Sequence, residues 1–143
     1  MGDLVFVDTN VLLYSLDSAD QKKQGQAVNW IQTLWTSGCG RLSWQVLNEF
    51  YVNAVRKLGA PAALARESVE LYALWQPVDS SLGLAQRAWF WSEDAQLTHW
   101  DALIVAAAER SGCRWLLSED FQEGRRFGIV TVINPFTTRP DQL

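Results

Sequence analysis

A chain of 143 residues, 48% hydrophobic and 20% charged, is long enough for one packed domain over 1–143 and too apolar to stay disordered. Its net charge of −4 and isoelectric point of about 4.9 exclude a basic nucleic-acid coat. No apolar run approaches the roughly 18 residues that span a bilayer, and the short N-terminal run carries Asp8 with no basic region before it, so neither a membrane segment nor a signal peptide is expected.

In chain order, hydrophobic patterning predicts a strand at about 3–8 and a short helix from about Val11 to Leu16. A helix at about 20–36 carries Ala27, Ile31, Leu34 and Trp35 on one stripe, and Gly38 and Gly40 break it. A short strand near Arg41-Leu42-Ser43 leads to a helix at about 44–58, stopped by Gly59, whose stripe Leu47, Tyr51, Ala54 and Leu58 is expected to face the core. Pro61 suits the first turn of a helix at about 61–74, and Pro77 precedes a short extended piece near Val78. Ser80 or Ser81 caps a helix at about 82–92. Thr98 caps a helix at about 99–111, with Gly112 just past its end. Strands follow at about 114–118 and 128–133, the last ending at Asn134-Pro135. Alternating β and α elements with continuous apolar strands imply an α/β fold, a parallel sheet covered by helices on both faces.

Four acids stand out on this framework: Asp8, Glu49, Asp101 and Asp120. Asp8 closes the first strand and Asp120 follows Ser118 and Glu119 after the strand at about 114–118. Sites in parallel sheets form at the carboxyl ends of strands, so acids placed there can converge from distant parts of the chain. Each also has a plainer reading. Asp8 suits an N-cap, and Thr98-His99-Trp100-Asp101 fits a capping box. Glu49 lies about 160° around its helix from Leu47, where an exposed glutamate is ordinary. Asp120 reads as a loop acid, with Glu119 competing for any role. Thr9, Asn10 and Ser118 can orient carboxylates by hydrogen bonds or simply form turns. His99 alone with Cys39 and Cys113 cannot make a zinc site, and the two thiols read as buried, reduced residues of a cytoplasmic protein. Lys22-Lys23, Arg56-Lys57 and Arg125-Arg126 read singly as solvated surface and together as a possible phosphate rim.

The segments Val7-Asp8-Thr9-Asn10-Val11-Leu12, Gln45-Val46-Leu47-Asn48-Glu49-Phe50, Trp100 to Ala108 and Leu116-Leu117-Ser118-Glu119-Asp120, in this order and spacing, resemble the signature segments of PIN-domain ribonucleases. More narrowly they are similar to VapC-type toxins of toxin–antitoxin pairs, as is Val132-Ile133-Asn134-Pro135-Phe136. The resemblance implies a three-layer α/β/α sandwich with a mostly parallel sheet of about five strands. It implies a catalytic pocket of Asp8, Glu49, Asp101 and Asp120 holding Mg²⁺ or Mn²⁺, with Asn10 and Ser118 in support. It also implies an RNA substrate, a homodimer and a cognate antitoxin. Of the eight tryptophans, Trp30, Trp35, Trp89 and Trp91 fall in helices that could serve such interfaces, though core packing suits most of them.

Elementary electrostatics supports a cation. Two like charges about 4 Å apart repel by roughly 4 kcal/mol at an effective dielectric near 20, so clustered carboxylates need a proton or a divalent ion. Asp8, Asp101 and Asp120 are expected as metal ligands and Glu49 as the group that orients or deprotonates water, leaving 5′-phosphate and 3′-hydroxyl ends. A haloacid-dehalogenase-type phosphatase fits less well. Asn10 stands where its second aspartate belongs, and no lysine follows Lys57. A non-catalytic PIN-fold protein that binds RNA or a partner is the remaining alternative.

Overall fold

The computed structural model describes residues 2–143. Five strands form one sheet: β1 (Val5–Val7), β2 (Gly40–Arg41), β3 (Trp115–Leu117), β4 (Arg126–Phe127) and β5 (Val130–Ile133), in the order β2-β1-β3-β5-β4. All neighbours are parallel except β4 and β5. Six α-helices accompany them: α1 (Thr9–Tyr14), α2 (Gln21–Ser37), α3 (Trp44–Arg56), α4 (Ala62–Tyr72), α5 (Leu82–Asp94) and α6 (His99–Arg110). Short 3-10 turns cover Ala73–Trp75 and Pro140–Gln142.

The central strand β1 shows why the sheet has two covered faces. Successive strand side chains point to opposite sides, yet Val5, Phe6 and Val7 are all fully buried. On the helical layers, α5 packs on α6, while α1 packs on α2 and α3, and α3 on α4. β2 lies so close to the turn at Ala73–Trp75 that a side chain on Gly40 would come within 2.7 Å of the Trp75 ring.

Several boundaries differ from expectation for local reasons. The buried stripe of α2 is Ala27, Trp30, Ile31 and Leu34; Trp35 instead sits at the rim, stacked on Tyr72 at 5.8 Å. The buried stripe of α3 is Val46, Leu47, Phe50 and Ala54, with Tyr51 and Leu58 only half-buried. β4 was not expected. It is two residues long, too short for any periodicity, and Gly128 at φ +61° turns it straight back into β5. The extended piece near Val78 pairs in parallel with Ser43. Trp30 and Trp91 are core residues, so neither is free to form an interface, whereas Trp89 stays half exposed.

What positions the site is the register between β1 and β3. Val7 pairs with Leu117, and the Asp8 N–H donates to the Leu117 carbonyl at 3.0 Å. The chain leaves β1 for β2 on one side and reaches β3 on the other. The space beyond their carboxyl ends is therefore the topological switch point of the sheet, where open α/β folds place ligands.

Candidate active site

Asp8 leaves β1 directly into α1. It is the N-cap residue, as local sequence suggests, and its Oδ1 accepts the Thr9 N–H at 2.8 Å. The cap is only part of its role. The Ser118 hydroxyl, fully buried at the end of β3, donates to Asp8 Oδ2 at 2.8 Å. Three of the four buried polar residues among those described, Asp8, Thr9 and Ser118, meet here, and the fourth, Ser43, caps α3. A core this apolar concentrates polar groups at one place only where they satisfy one another.

Asn10 joins the two strand ends. Its Nδ2 donates to Asp8 Oδ2 at 3.3 Å, Ser118 Oγ at 3.3 Å and Asp120 Oδ2 at 3.1 Å, while its Oδ1 accepts the Glu119 N–H at 3.2 Å. The Asp120 N–H in turn donates to Ser118 Oγ at 3.1 Å. Asp8 and Asp120 are thus held against the same amide and the same hydroxyl. Glu119, the competitor for this place, is turned away: Lys23 of α2 binds its carboxylate at 2.6 Å and also lies 4.9 Å from the centres of both the Tyr14 and Phe136 rings.

Glu49 is drawn to the site although the helix stripe argued otherwise. The Thr9 hydroxyl donates to Glu49 Oε2 at 2.8 Å, and Gln45 Nε2 donates to Glu49 Oε1 at 3.1 Å. Gln45 also reaches the Trp100 carbonyl at 3.3 Å, next to Asp101. Gln45 is the residue that sequence reasoning missed. Its four-residue spacing from Glu49 on one helix was the available signal. Asp101 lies in the first turn of α6 behind the Thr98 cap, whose Oγ1 accepts its N–H at 3.2 Å.

Charge completes the picture. Burial pushes the Asp8 carboxyl up to about 7, against the lowering hydrogen bonds from Ser118 and Thr9, and the negative charges of Asp120 and Glu49 raise it further. Asp101 is raised by partial burial first and then by Asp120 and Glu49, with the Thr98 contact opposing. Asp120 and Glu49 therefore act on both Asp8 and Asp101. Their donor set is all oxygen, the chemistry of Mg²⁺ or Mn²⁺ rather than of zinc. Among the described residues, no three acidic, histidine or cysteine side chains already stand in a constellation ready for an ion. Hydrogen bonds tie Asp8 to Asp120 through Asn10 and Ser118, while, of the other acids, the Asp101 carboxylate meets only the charges of Asp120 and Glu49.

Residues 5–124 match the PIN-domain family. The chain belongs to this family. Two solved structures are similar to this PIN domain in fold. The VapC20 toxin of Mycobacterium tuberculosis, described as cleaving the sarcin–ricin loop, is 24% identical with a TM-score of 0.60, over 78% of this chain and 86% of that one. A toxin–antitoxin complex from Klebsiella pneumoniae is 18% identical with a TM-score of 0.64, over 92% and 97%. No curated protein sequence matches the chain. The shared five-stranded, mostly parallel α/β architecture is the one expected from the strand and helix alternation.

Cys39 and Cys113 are buried, and burial pushes the Cys113 thiol up to about 12, too high for a thiolate nucleophile. No helix among the described residues is long and apolar enough to cross a membrane.

Proposed function

We propose that this PIN domain is a divalent-cation-dependent ribonuclease and the toxin of a VapC-type toxin–antitoxin pair. The observation that carries the reading is the pairing of Asp8 and Asp120 on Asn10 and Ser118 across the ends of β1 and β3, with Glu49 and Asp101 inside the same field. Similarity in fold to a VapC toxin and to a toxin–antitoxin complex supports the narrower assignment.

Asp8, Asp101 and Asp120 would hold Mg²⁺ or Mn²⁺, since repulsion among them is what a dication relieves. The bound ion supplies Lewis-acid polarisation of the phosphodiester and acidifies water. The rest falls to this chain. Asn10 holds one oxygen each of the Asp8 and Asp120 carboxylates, and Ser118 fixes Asp8 through its hydroxyl and Asp120 through its backbone N–H. Glu49, fixed from one side by Thr9 and from the other by Gln45, orients the attacking water and takes its proton on the carboxylate. The water oxygen bonds to phosphorus as the P–O3′ bond breaks, and the departing 3′ oxygen takes a proton from solvent, leaving 5′-phosphate and 3′-hydroxyl ends. A homodimer and a cognate antitoxin belong to the same proposal. Of Trp30, Trp35, Trp89 and Trp91, the half-exposed Trp89 of α5 and Trp35 at the rim of α2 are still available to such surfaces.

The test is cleavage of structured and single-stranded RNAs by the purified protein with Mg²⁺, Mn²⁺ or EDTA, beside Asp8→Asn. Cleavage is expected to need the cation and to fall at least a hundredfold, on the order of 3 kcal/mol of barrier, in the variant. Activity that survives EDTA or Asp8→Asn overturns the mechanism. One observation favours a second reading: the acids are not gathered around one point as they stand. RNA binding that is indifferent to metal, without cleavage, would select the non-catalytic PIN-fold binding protein. The toxin assignment predicts co-purification with a small basic partner encoded by a short frame just upstream.

A further inference from the structure

The four acids account for a cation and for the bond that breaks, but not for what holds the strand. Beside them a cleft of about 240 Å³ opens where α1 meets the end of α3, lined by Leu13, Tyr14, Asp17, Asn53, Lys57 and Leu58, together with Asn10. Asn10 is common to both places: the amide that binds Asp8 and Asp120 also borders the cleft. We propose that this cleft is a nucleotide subsite, taking the RNA residue that adjoins the scissile phosphate. The proposal rests on the nuclease reading above and names where that enzyme reads its substrate.

The lining suits a whole nucleotide better than a phosphate or a greasy side chain. Leu13, Tyr14 and Leu58, all half-buried, offer apolar and aromatic surface of the kind on which bases stack. Lys57 is exposed, is the one cation lining the cleft, and makes none of the ion pairs formed among the described residues. It can therefore give its full charge to a phosphate. Asp17 would repel a bare phosphate. One of its oxygens accepts the Ala19 N–H, and the other is open to the amino group of a base edge, which carboxylates accept. Asn53 uses its Nδ2 on the Glu49 carbonyl at 2.8 Å, leaving its Oδ1 as a further acceptor. That bond also ties the cleft to the helical turn that carries Glu49. Cation for phosphate, ring and methyl groups for the base face, and two acceptors for its edge sit together, beside the amide that holds Asp8 and Asp120. None of the four acids lines either hollow, but the larger one between α2 and residues 135–140, about 400 Å³, also lacks Asn10 and so lacks that link to them.

Fluorescence anisotropy with a labelled single-stranded RNA, in the Asp101→Asn background where the RNA stays intact, tests the phosphate contact. Lys57→Gln is expected to weaken binding roughly three- to tenfold and to lower the slope of log affinity against log salt by about 0.7, one phosphate's worth for a single strand. Arg114→Gln, whose cation is paired with Asp3 away from the cleft, is the control and should change neither. In protein with all four acids intact, Asp17→Asn is expected to alter the base found next to the cut when cleaved ends are sequenced, with the amount of folded protein unchanged. Unaltered affinity and salt slope for Lys57→Gln overturn the proposal. So does an unaltered base preference for Asp17→Asn, or an effect of both changes on a co-purified protein partner with none on RNA. In each of these outcomes EDTA-sensitive cleavage persists, which separates failure of the subsite from failure of the nuclease reading.

Discussion

Asp8 carries the sharpest consequence at the scale of one residue. Its carboxyl is raised to about 7 chiefly by burial, so the folded protein without cation binds a proton there that the unfolded chain, with an ordinary aspartate, releases near pH 4. The folded state holds more protons between those values, and stability therefore falls as pH rises from about 4 to about 7 and stays low above. The size is on the order of 2–4 kcal/mol at full ionisation. Thermal melts in EDTA should show a midpoint that drops by several degrees from pH 5 to pH 8. Asp8→Asn, which removes the charge and nearly keeps the shape, should flatten that dependence and be the more stable protein at pH 8. A flat profile for the unsubstituted chain would mean that Asp8 is better solvated than its 6% exposure suggests.

At the scale of elements, α3 separates stability from function on two faces of one helix. Phe50 is almost fully buried between Val46 and Ala54, and Phe50→Ala should cost about 3–5 kcal/mol in denaturant unfolding. Gln45 is half-buried and its side chain hydrogen-bonds Glu49 and the Trp100 carbonyl, so Gln45→Ala should cost under about 1 kcal/mol while lowering kcat about tenfold or more with little change in KM. A parallel fall in stability and rate would reduce Gln45 to a packing residue. The same helix shows why Glu49 was hard to read. Taking Tyr51 and Leu58 for core residues rotated the inferred face. Measured from Val46, three residues earlier, Glu49 is only about 60° off the buried stripe, on the flank that borders the strand ends. Asp101 was ambiguous for another reason: a helix's first turn favours an acid whether or not chemistry needs one. In the folded chain Thr98 caps the helix through its own hydroxyl.

For the whole molecule, the proposed cation would be part of the fold's stability, because it would relieve the repulsion that Asp120 and Glu49 exert on Asp8 and Asp101. Mg²⁺ or Mn²⁺ should raise the melting midpoint at pH 8 by several degrees at a hundredfold excess over Kd, a stabilisation of about 2.7 kcal/mol, and EDTA should reverse it. Asp101→Asn should blunt the gain, and its full persistence there would remove Asp101 from the ligand set. Much of this architecture was legible in advance. Apolar runs, capping serines and threonines, and turn glycines mark β1, β3 and all six helices, because those signals act over a few neighbouring residues. The acids at the ends of β1 and β3 were marked in the same way, since a carboxylate cannot continue an apolar strand. The choice of Asp120 over Glu119 was not written locally. It depends on Lys23, 96 residues away, capturing Glu119, and on Asn10 reaching 110 residues to hold Asp120. Nor was the recruitment of Glu49 by Thr9 across 40 residues. Sequence patterning by itself marked β1, β3 and the six helices to within a few residues, while only sheet register and contacts between distant segments decided which carboxylates meet, because hydrogen bonding and burial at such range exist only once the chain has folded.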